Sequence, residues 1–377
     1  MIDTHQTPRE NASVNSARRL SGFNVYDWDN LYLAYRKASK GKRGLGDVAE
    51  FEYKLEDNLF QLQQELKEQT YQPGKYHSFY IHDPKKRLIS AAPFRDRVVH
   101  HALCNLIEPV FERSFIFDSY ANRIGKGTHK AIDRAQRFAR RFKYVLTCDI
   151  RQFFPSIDHS VLLNILEHKI KEKPLLRLAE KILQSGVGVL QDEYDMVYFE
   201  TDDLFAVNRP RGLPIGNLTS QFWANCYLNP FDHFVKRNLR CKGYVRYVDD
   251  FLLFSNDKAE VCLWRGKIIK QLCKFRLTLH ANKCQSRPVT EGVPFLGFII
   301  FPTHRLLKQA KGIAFQRKFK ALRTEFQLKK TSFDKITASV QGWVNHVRYA
   351  NTWGLRRGIL QCASLQFPIP NPQFTIS

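Results

Sequence analysis

An α+β fold ending in a helical domain is predicted by two features of the sequence. Short β-branched and aromatic runs recur between longer segments with helical apolar spacing, and the last of those helical segments are strongly basic. The composition agrees with such a fold. At 377 residues, 44% hydrophobic and 25% charged, the chain can bury a sizeable core in one large domain or a few small ones. Its 59 Lys+Arg against 36 Asp+Glu leave a formal charge of +23. That excess points to a polyanionic partner, because each neutralised phosphate releases counterions, although charge also serves plain solubility.

Taken in order, residues 1–22 are polar and read as a flexible N-terminus. From Tyr26 to Gln69 the spacing is helical, with Phe51, Leu55, Leu59, Leu62 and Leu66 three and four apart. HSFYIHDPKKRLISAAP (77–93) places two strand-like runs around a D-P-K-K turn, a hairpin with a basic tip. DRVVHHALCNLIEPVFERSF (96–115) returns to helical spacing, and KYVLTCDI (143–150) is a buried strand by composition. A helical stretch (159–185) precedes VYFETDDLFAVNRPRG (197–212), which reads as a second hairpin with a Pro/Gly exit. Residues 217–239 suit a long helix, and YVRYVDDFLLFS (244–255) reads as two strands with an acidic turn. Beyond FLGFII (295–300) come two basic helical segments, 310–330 and 333–351.

Eight cysteines are scattered without a C-x-x-C pair, which argues against zinc and for small core residues in a reducing compartment. There is no signal peptide and no run of 18 apolar residues, so a cytoplasmic protein that avoids membranes is expected.

The acids stand out. Asp149 closes one apolar strand, and Asp249 and Asp250 occupy the turn of an apolar hairpin about 100 residues later. Carboxylates beside apolar runs are costly unless something neutralises them, and divalent cations would do so. The plain alternative is that D-D is a solvated turn.

These segments resemble reverse transcriptases. YVRYVDDFLLFS and CDIRQFFPSID (148–158) are similar to the two palm blocks that carry the metal ligands, and further blocks follow the same order over residues 77–350. The resemblance implies a right-hand polymerase with fingers, a palm of antiparallel sheet plus helices, and a helical thumb. It divides the chain into fingers with N-terminal helices (23–145), palm with interleaved fingers segments (146–300) and basic thumb (301–377). It implies two Mg²⁺ ions, with Mn²⁺ as a substitute, held by Asp149, Ile150 and Asp249, with Asp250 adjacent. RLISAAPFRDRVVHHAL (87–103) and DSYANRIGKGTHKAI (118–132) resemble fingers blocks, in which Arg123 is the leading candidate for nucleotide contact, with Lys86 and Arg87 behind it. Ile150 belongs to the same nucleotide site. Phe154 resembles the steric gate that rejects a 2′-hydroxyl; simple core packing of Phe153 or Phe154 is the alternative.

RGLPIGNLTSQFWAN (211–225) departs from the usual Q-G and S-P of its block, showing Ile215-Gly216 and Ser220-Gln221 instead. That form resembles the reverse transcriptases of diversity-generating retroelements, which copy template adenines with errors. Replacing an amide by Ile215 removes hydrogen bonding near the template, leaving apolar shape to discriminate weakly, so Ile215 and Arg123 are the expected fidelity determinants. Lys283 is a candidate general acid toward pyrophosphate, with a surface lysine as the alternative. Phe295, Leu296 and Gly297 resemble the primer grip, and the basic helices suit an RNA–DNA duplex. The implied partners are deoxynucleoside triphosphates, a template RNA and a small basic helical pentameric accessory protein. Rival readings are a retron or group II intron enzyme, and a non-catalytic RNA-binding scaffold on the same fold.

Overall fold

The structure, a computed structural model, describes residues 24–82, 86–200 and 202–361. The expected flexible N-terminus, the hairpin tip at 83–85 and the end of the thumb segment fall outside the described residues. The chain forms two compact units, residues 1–288 and 289–377.

In the first unit, α1 (Trp28–Ser39), α2 (Gly46–Tyr53) and α3 (Leu55–Lys67) gather with α4 (Phe94–Glu112). Their buried stripes Leu31/Ala34/Tyr35/Ala38 and Leu59/Leu62/Leu66 follow the spacing seen in the sequence. Asn30 is buried among them and is satisfied by donating to the Val25 and Ala102 carbonyls. Strands β1 (His77–Ile81) and β2 (Arg87–Ala91) form the expected antiparallel hairpin. Next come α5 (Thr128–Arg141), β3 (Tyr144–Asp149), the short α6 (Phe153–Ser156), α7 (His159–Glu167) and α8 (Lys173–Ser185).

The central sheet is antiparallel, in the order β4 (Gly243–Tyr247), β5 (Asp250–Ser255), β3, β6 (Gln285–Pro288). Helix α9 (Leu218–His233) is buried on nearly every side, and its enclosed Asn225, Asn229 and Asp232 are bonded to the Ala121 carbonyl, Ser114 and Arg246. It continues as one π-helical turn, Phe234–Asn238. Helix α10 (Lys258–Lys274) packs its Val261, Trp264, Ile268 and Leu272 into the core, against β3 and β5.

The segment 197–212 is not the hairpin expected from its sequence. Its described residues form a 3₁₀ turn (Leu204–Asn208) and irregular backbone. Asp202 accepts the Phe199 amide and binds Arg276 through both carboxylate oxygens, at 2.5 and 2.7 Å. An acid that satisfies the backbone locally competes with strand pairing.

The second unit holds a three-stranded antiparallel sheet, β7 (Val293–Phe295), β8 (Phe298–Ile300) and β9 (Arg305–Leu307), and helices α11 (Gln309–Gln327), α12 (Phe333–Val347) and α13 (Trp353–Gln361). Phe315, Phe319, Leu322, Ile336 and Ile359 form its core, with Trp343 stacked on Phe315 at 4.1 Å. The Asn351 amide donates to the Arg305 carbonyl and Phe298 packs on His346, so the small sheet belongs with the helices. The unit therefore begins at Val289, ahead of the boundary placed after residue 300 from the sequence.

Candidate active site

Two strands bring the three acids together. β3 and β5 run antiparallel in a register that sets Asp149 directly opposite Asp250, and Asp249 sits in the β4–β5 turn. The Ile150 amide donates to the Asp249 carbonyl, and the His280 amide to the Asp149 carbonyl, which fixes both backbones. Ile150 is buried, so only its main-chain carbonyl could serve a ligand. The turn itself is strained, because Val248 holds φ +55°, a conformation that β-branched residues avoid.

A buried ion pair holds that turn in place. Arg246 and Asp232 both have fully enclosed side chains and bond through Nε and Nη2, at 2.7 and 2.6 Å. Tyr244 donates to the same carboxylate at 2.7 Å. Arg246 Nη1 then donates to the Val248 carbonyl at 3.1 Å and to Asn225 Oδ1 at 3.2 Å. The backbone of Arg246 also bonds Asp118 and Tyr120, which places the 118–121 loop beside the acidic turn. Sequence reasoning missed this network. Its signal was an arginine inside an otherwise apolar strand, where an unpaired charge could not stay.

Electrostatically the site is a negative pole. Burial, together with the charge of Asp149, raises the Asp249 carboxyl, against the opposing pull of Lys283 and Arg87. Burial, the Asp249 and Asp149 charges and a hydrogen bond with Asp149 push Asp250 up to about 7. Lys283 reaches into the cluster, with Nζ 2.8 Å from Asp149 Oδ1 and the side chain 44% exposed. Among the described residues no three His, Cys, Asp or Glu side chains form a ready-made metal cage. Mg²⁺ does not need one, since it takes one or two carboxylates and completes its octahedron with water and substrate phosphate. The hard oxygen donors of Asp149 and Asp249 fit that ion, as does their excess negative charge.

Other expected residues fall unevenly around this centre. Arg123 is corrected. Its side chain is 7% exposed and is spent on Glu112 at 2.7 Å and on the Ile116 and Ser119 carbonyls at 2.7 and 2.9 Å. It ties down the loop after α4 and has little surface left for a nucleotide. Arg87, the weaker candidate from sequence, is exposed at the start of β2, and its charge adds a small pull on the Asp249 carboxyl. Lys86 lies over the Tyr80 ring of its own hairpin, 4.1 Å from the centroid. Phe153 is buried and Phe154 only partly so, which leaves Phe154 the ring with a free face.

The 214–217 loop is sewn onto β2. Ser90 donates its amide to the Ile215 carbonyl at 2.8 Å. Asn217, buried and unremarked in the sequence, donates to the Ser90 and Pro214 carbonyls and accepts from the Ala92 amide. Gly216 has φ +122° and would meet Ile89 Cγ2 at 3.1 Å if it carried a Cβ. Gly216→Ala should therefore cost about 1–3 kcal/mol, from its backbone conformation and the crowding against Ile89. Equilibrium urea unfolding measures this, and an unchanged midpoint would contradict the geometry. Gln221 is exposed on the first turn of α9. In the second unit Leu296 and Gly297 form the β7–β8 turn, with φ +46° and +89°, next to buried Phe295.

Comparison with known proteins follows this geometry. A family model described as reverse transcriptase (RNA-dependent DNA polymerase) matches residues 81–300. The group II intron-encoded protein LtrA of Lactococcus lactis subsp. cremoris is 28% identical over 217 residues, covering 55% of this chain and 33% of LtrA. Protein YkfC of Escherichia coli K12 is 25% identical over 293 residues, covering 66% of this chain and 71% of YkfC. Among solved structures, a Candida albicans telomerase complex with a telomeric RNA fragment has a TM-score of 0.42 at 13% identity, covering 77% of this chain and 61% of that one. The chain thus spans about a third of LtrA, and no helix among its described residues is long and apolar enough to cross a membrane. With the matched segment running through both acidic strands and most of the chain, this protein belongs to the reverse transcriptase family.

Proposed function

We propose that the chain is an RNA-directed DNA polymerase that joins a deoxynucleoside triphosphate to a primer 3′-hydroxyl. The observation that carries this reading is the β3–β5 register, which sets Asp149 against Asp250 with Asp249 in the adjoining turn. Asp149, Asp249 and the Ile150 carbonyl would hold two Mg²⁺ ions, or Mn²⁺ in their place, with Asp250 beside them. When bound, such a pair activates an attacking hydroxyl and neutralises the leaving oxygen. In this reading Arg87 would meet the entering triphosphate, and Lys283, 2.8 Å from Asp149, would serve as general acid toward the departing pyrophosphate. Phe154 would turn its free face to the sugar and exclude a 2′-hydroxyl.

The finer reading is an error-prone enzyme of a diversity-generating retroelement, working with a template RNA and a small basic pentameric accessory protein. It rests on Ile215-Gly216 and Ser220-Gln221. Ile215 is half-buried and offers no side-chain hydrogen bond, whereas Arg123 drops out as a fidelity determinant. The similarity to LtrA favours a second reading, a group II intron type enzyme. Sequencing the DNA made on a defined RNA template separates the two. Errors concentrated opposite template adenines, and reduced in Ile215→Gln, support the retroelement reading; uniformly accurate product favours the intron type.

Metal binding has its own pH signature. The Asp250 carboxyl is raised from 3.8 to about 7 in the fold, so the folded state binds its proton more tightly than the unfolded chain does. Stability from this group is fully present below its unfolded value and is lost as pH rises toward 7. A divalent cation competes with that proton, so Mg²⁺ should raise the melting temperature more at pH 8 than at pH 6. Equal shifts at both values, read by scanning calorimetry, would count against metal binding at this cluster.

A further inference from the structure

We infer that Cys148 and Cys284 form an oxidative modification site whose disulfide shuts the active site. The two sulfurs lie 3.6 Å apart. They extend the β3–β6 register by one position beyond Thr147 and Gln285. One cysteine immediately precedes Asp149 and the other immediately follows Lys283, and those two neighbours are themselves paired at 2.8 Å. A disulfide requires about 2.05 Å between sulfurs, so the sulfurs must close by about 1.5 Å, through side-chain rotation and a small shift of the strands. β3 is held on both sides by β5 and β6, whereas β6 is an edge strand. The backbone share of that closure therefore falls on β6 and on Lys283 just before it, which pulls Lys283 out of register with Asp149. Both cysteines are buried, at 3% exposure, yet Lys283 and Gln285 on either side of Cys284 are exposed, so a small oxidant approaches from the sheet edge.

The oxidant proposed is a peroxide. The Cys284 thiolate attacks one peroxide oxygen, the O–O bond breaks, and the departing hydroxide takes a proton to leave as water. Cys284 is now a sulfenic acid. The Cys148 sulfur displaces its hydroxyl, which leaves with the Cys148 proton as a second water. Two thiols and one hydrogen peroxide thus give one disulfide and two waters. Cys284 lies at the edge strand between exposed neighbours, which makes it the sulfur a peroxide meets first, and a hydrogen bond with Cys148 and the Arg265 charge favour its thiolate.

The test uses the full chain carrying Cys262→Ser and Cys273→Ser, which removes the two exposed thiols among the described residues. Hydrogen peroxide is added, and peptide mapping after alkylation is run beside primer extension on an RNA template with Mg²⁺. The expected result is a Cys148–Cys284 linked peptide and a rate loss on the order of 100-fold, restored by dithiothreitol. Cys284→Ser should extend primers at the starting rate and ignore peroxide. Separate alkylation of both thiols, after a dose that oxidises Cys262 in the unsubstituted chain, would overturn the inference. A bridge that leaves the rate unchanged would overturn it equally. Only the rate arm rests on the polymerase reading. A reduced chain without activity would count against that reading, while mapping still decides whether the bridge forms.

Discussion

Asp249→Asn should lower primer extension by at least about 10³-fold, roughly 4 kcal/mol of lost transition-state stabilisation, while leaving the fold intact. The substitution keeps the volume of the side chain and removes one of three mutually repelling charges. Burial and the Asp149 charge already hold the Asp249 carboxyl above its usual range, so relieving that repulsion should not destabilise the metal-free protein. Two measurements together identify the residue. Steady-state primer extension should fall, and melting in chelator should be unchanged or slightly higher. Addition of Mg²⁺ should then raise the melting temperature less than it does in the unsubstituted chain. Loss of activity accompanied by a lower melting temperature in chelator would point to a structural role instead.

Arg246→Met is expected to have the largest effect on stability. It leaves Asp232 enclosed with Tyr244 as its remaining partner, and breaking a buried pair of this kind costs about 3–5 kcal/mol. Asp232→Leu alone should cost a similar amount by stranding the guanidinium. The double variant should recover much of the loss, because matched apolar side chains can replace a buried pair at little net cost. Activity should not recover with it. The Val248 carbonyl loses its donor in every variant lacking Arg246, and the turn that carries Asp249 is released. Urea unfolding and primer extension on the two single variants and the double variant close the cycle. Recovery of rate in parallel with stability would show that the pair supports the fold alone.

Periodicity exposed a good deal of this arrangement. β3 and the β4–β5 hairpin were legible because each buries a mostly apolar run with acids or glycine at its boundary, and α9 because its apolar positions keep helical spacing. The meeting of Asp149 with the Asp249–Asp250 turn followed from the ordered motifs, and the register then made it geometric. Three features were not legible, each for a definable reason. Arg123 looks like any exposed loop arginine until Glu112 and two carbonyls close around it, and those partners are fixed by tertiary folding. The run 197–212 has strand-like composition, but Asp202 is claimed by Arg276, which lies 74 residues away. The start of the second unit is set by pairing among three short strands of three residues each, too brief to show a period.

The backbone at Val248 carries one last implication, for evolution under heat. A β-branched residue at φ +55° is a standing cost that glycine or asparagine would remove in a single step. Selection for thermal endurance alone would drift toward such replacements, and each would widen the range of positions open to the neighbouring Asp249. Heat resistance is therefore expected to gather elsewhere, in the outer helices or the second unit, with this tense corner kept as the condition of a sharply aimed carboxylate.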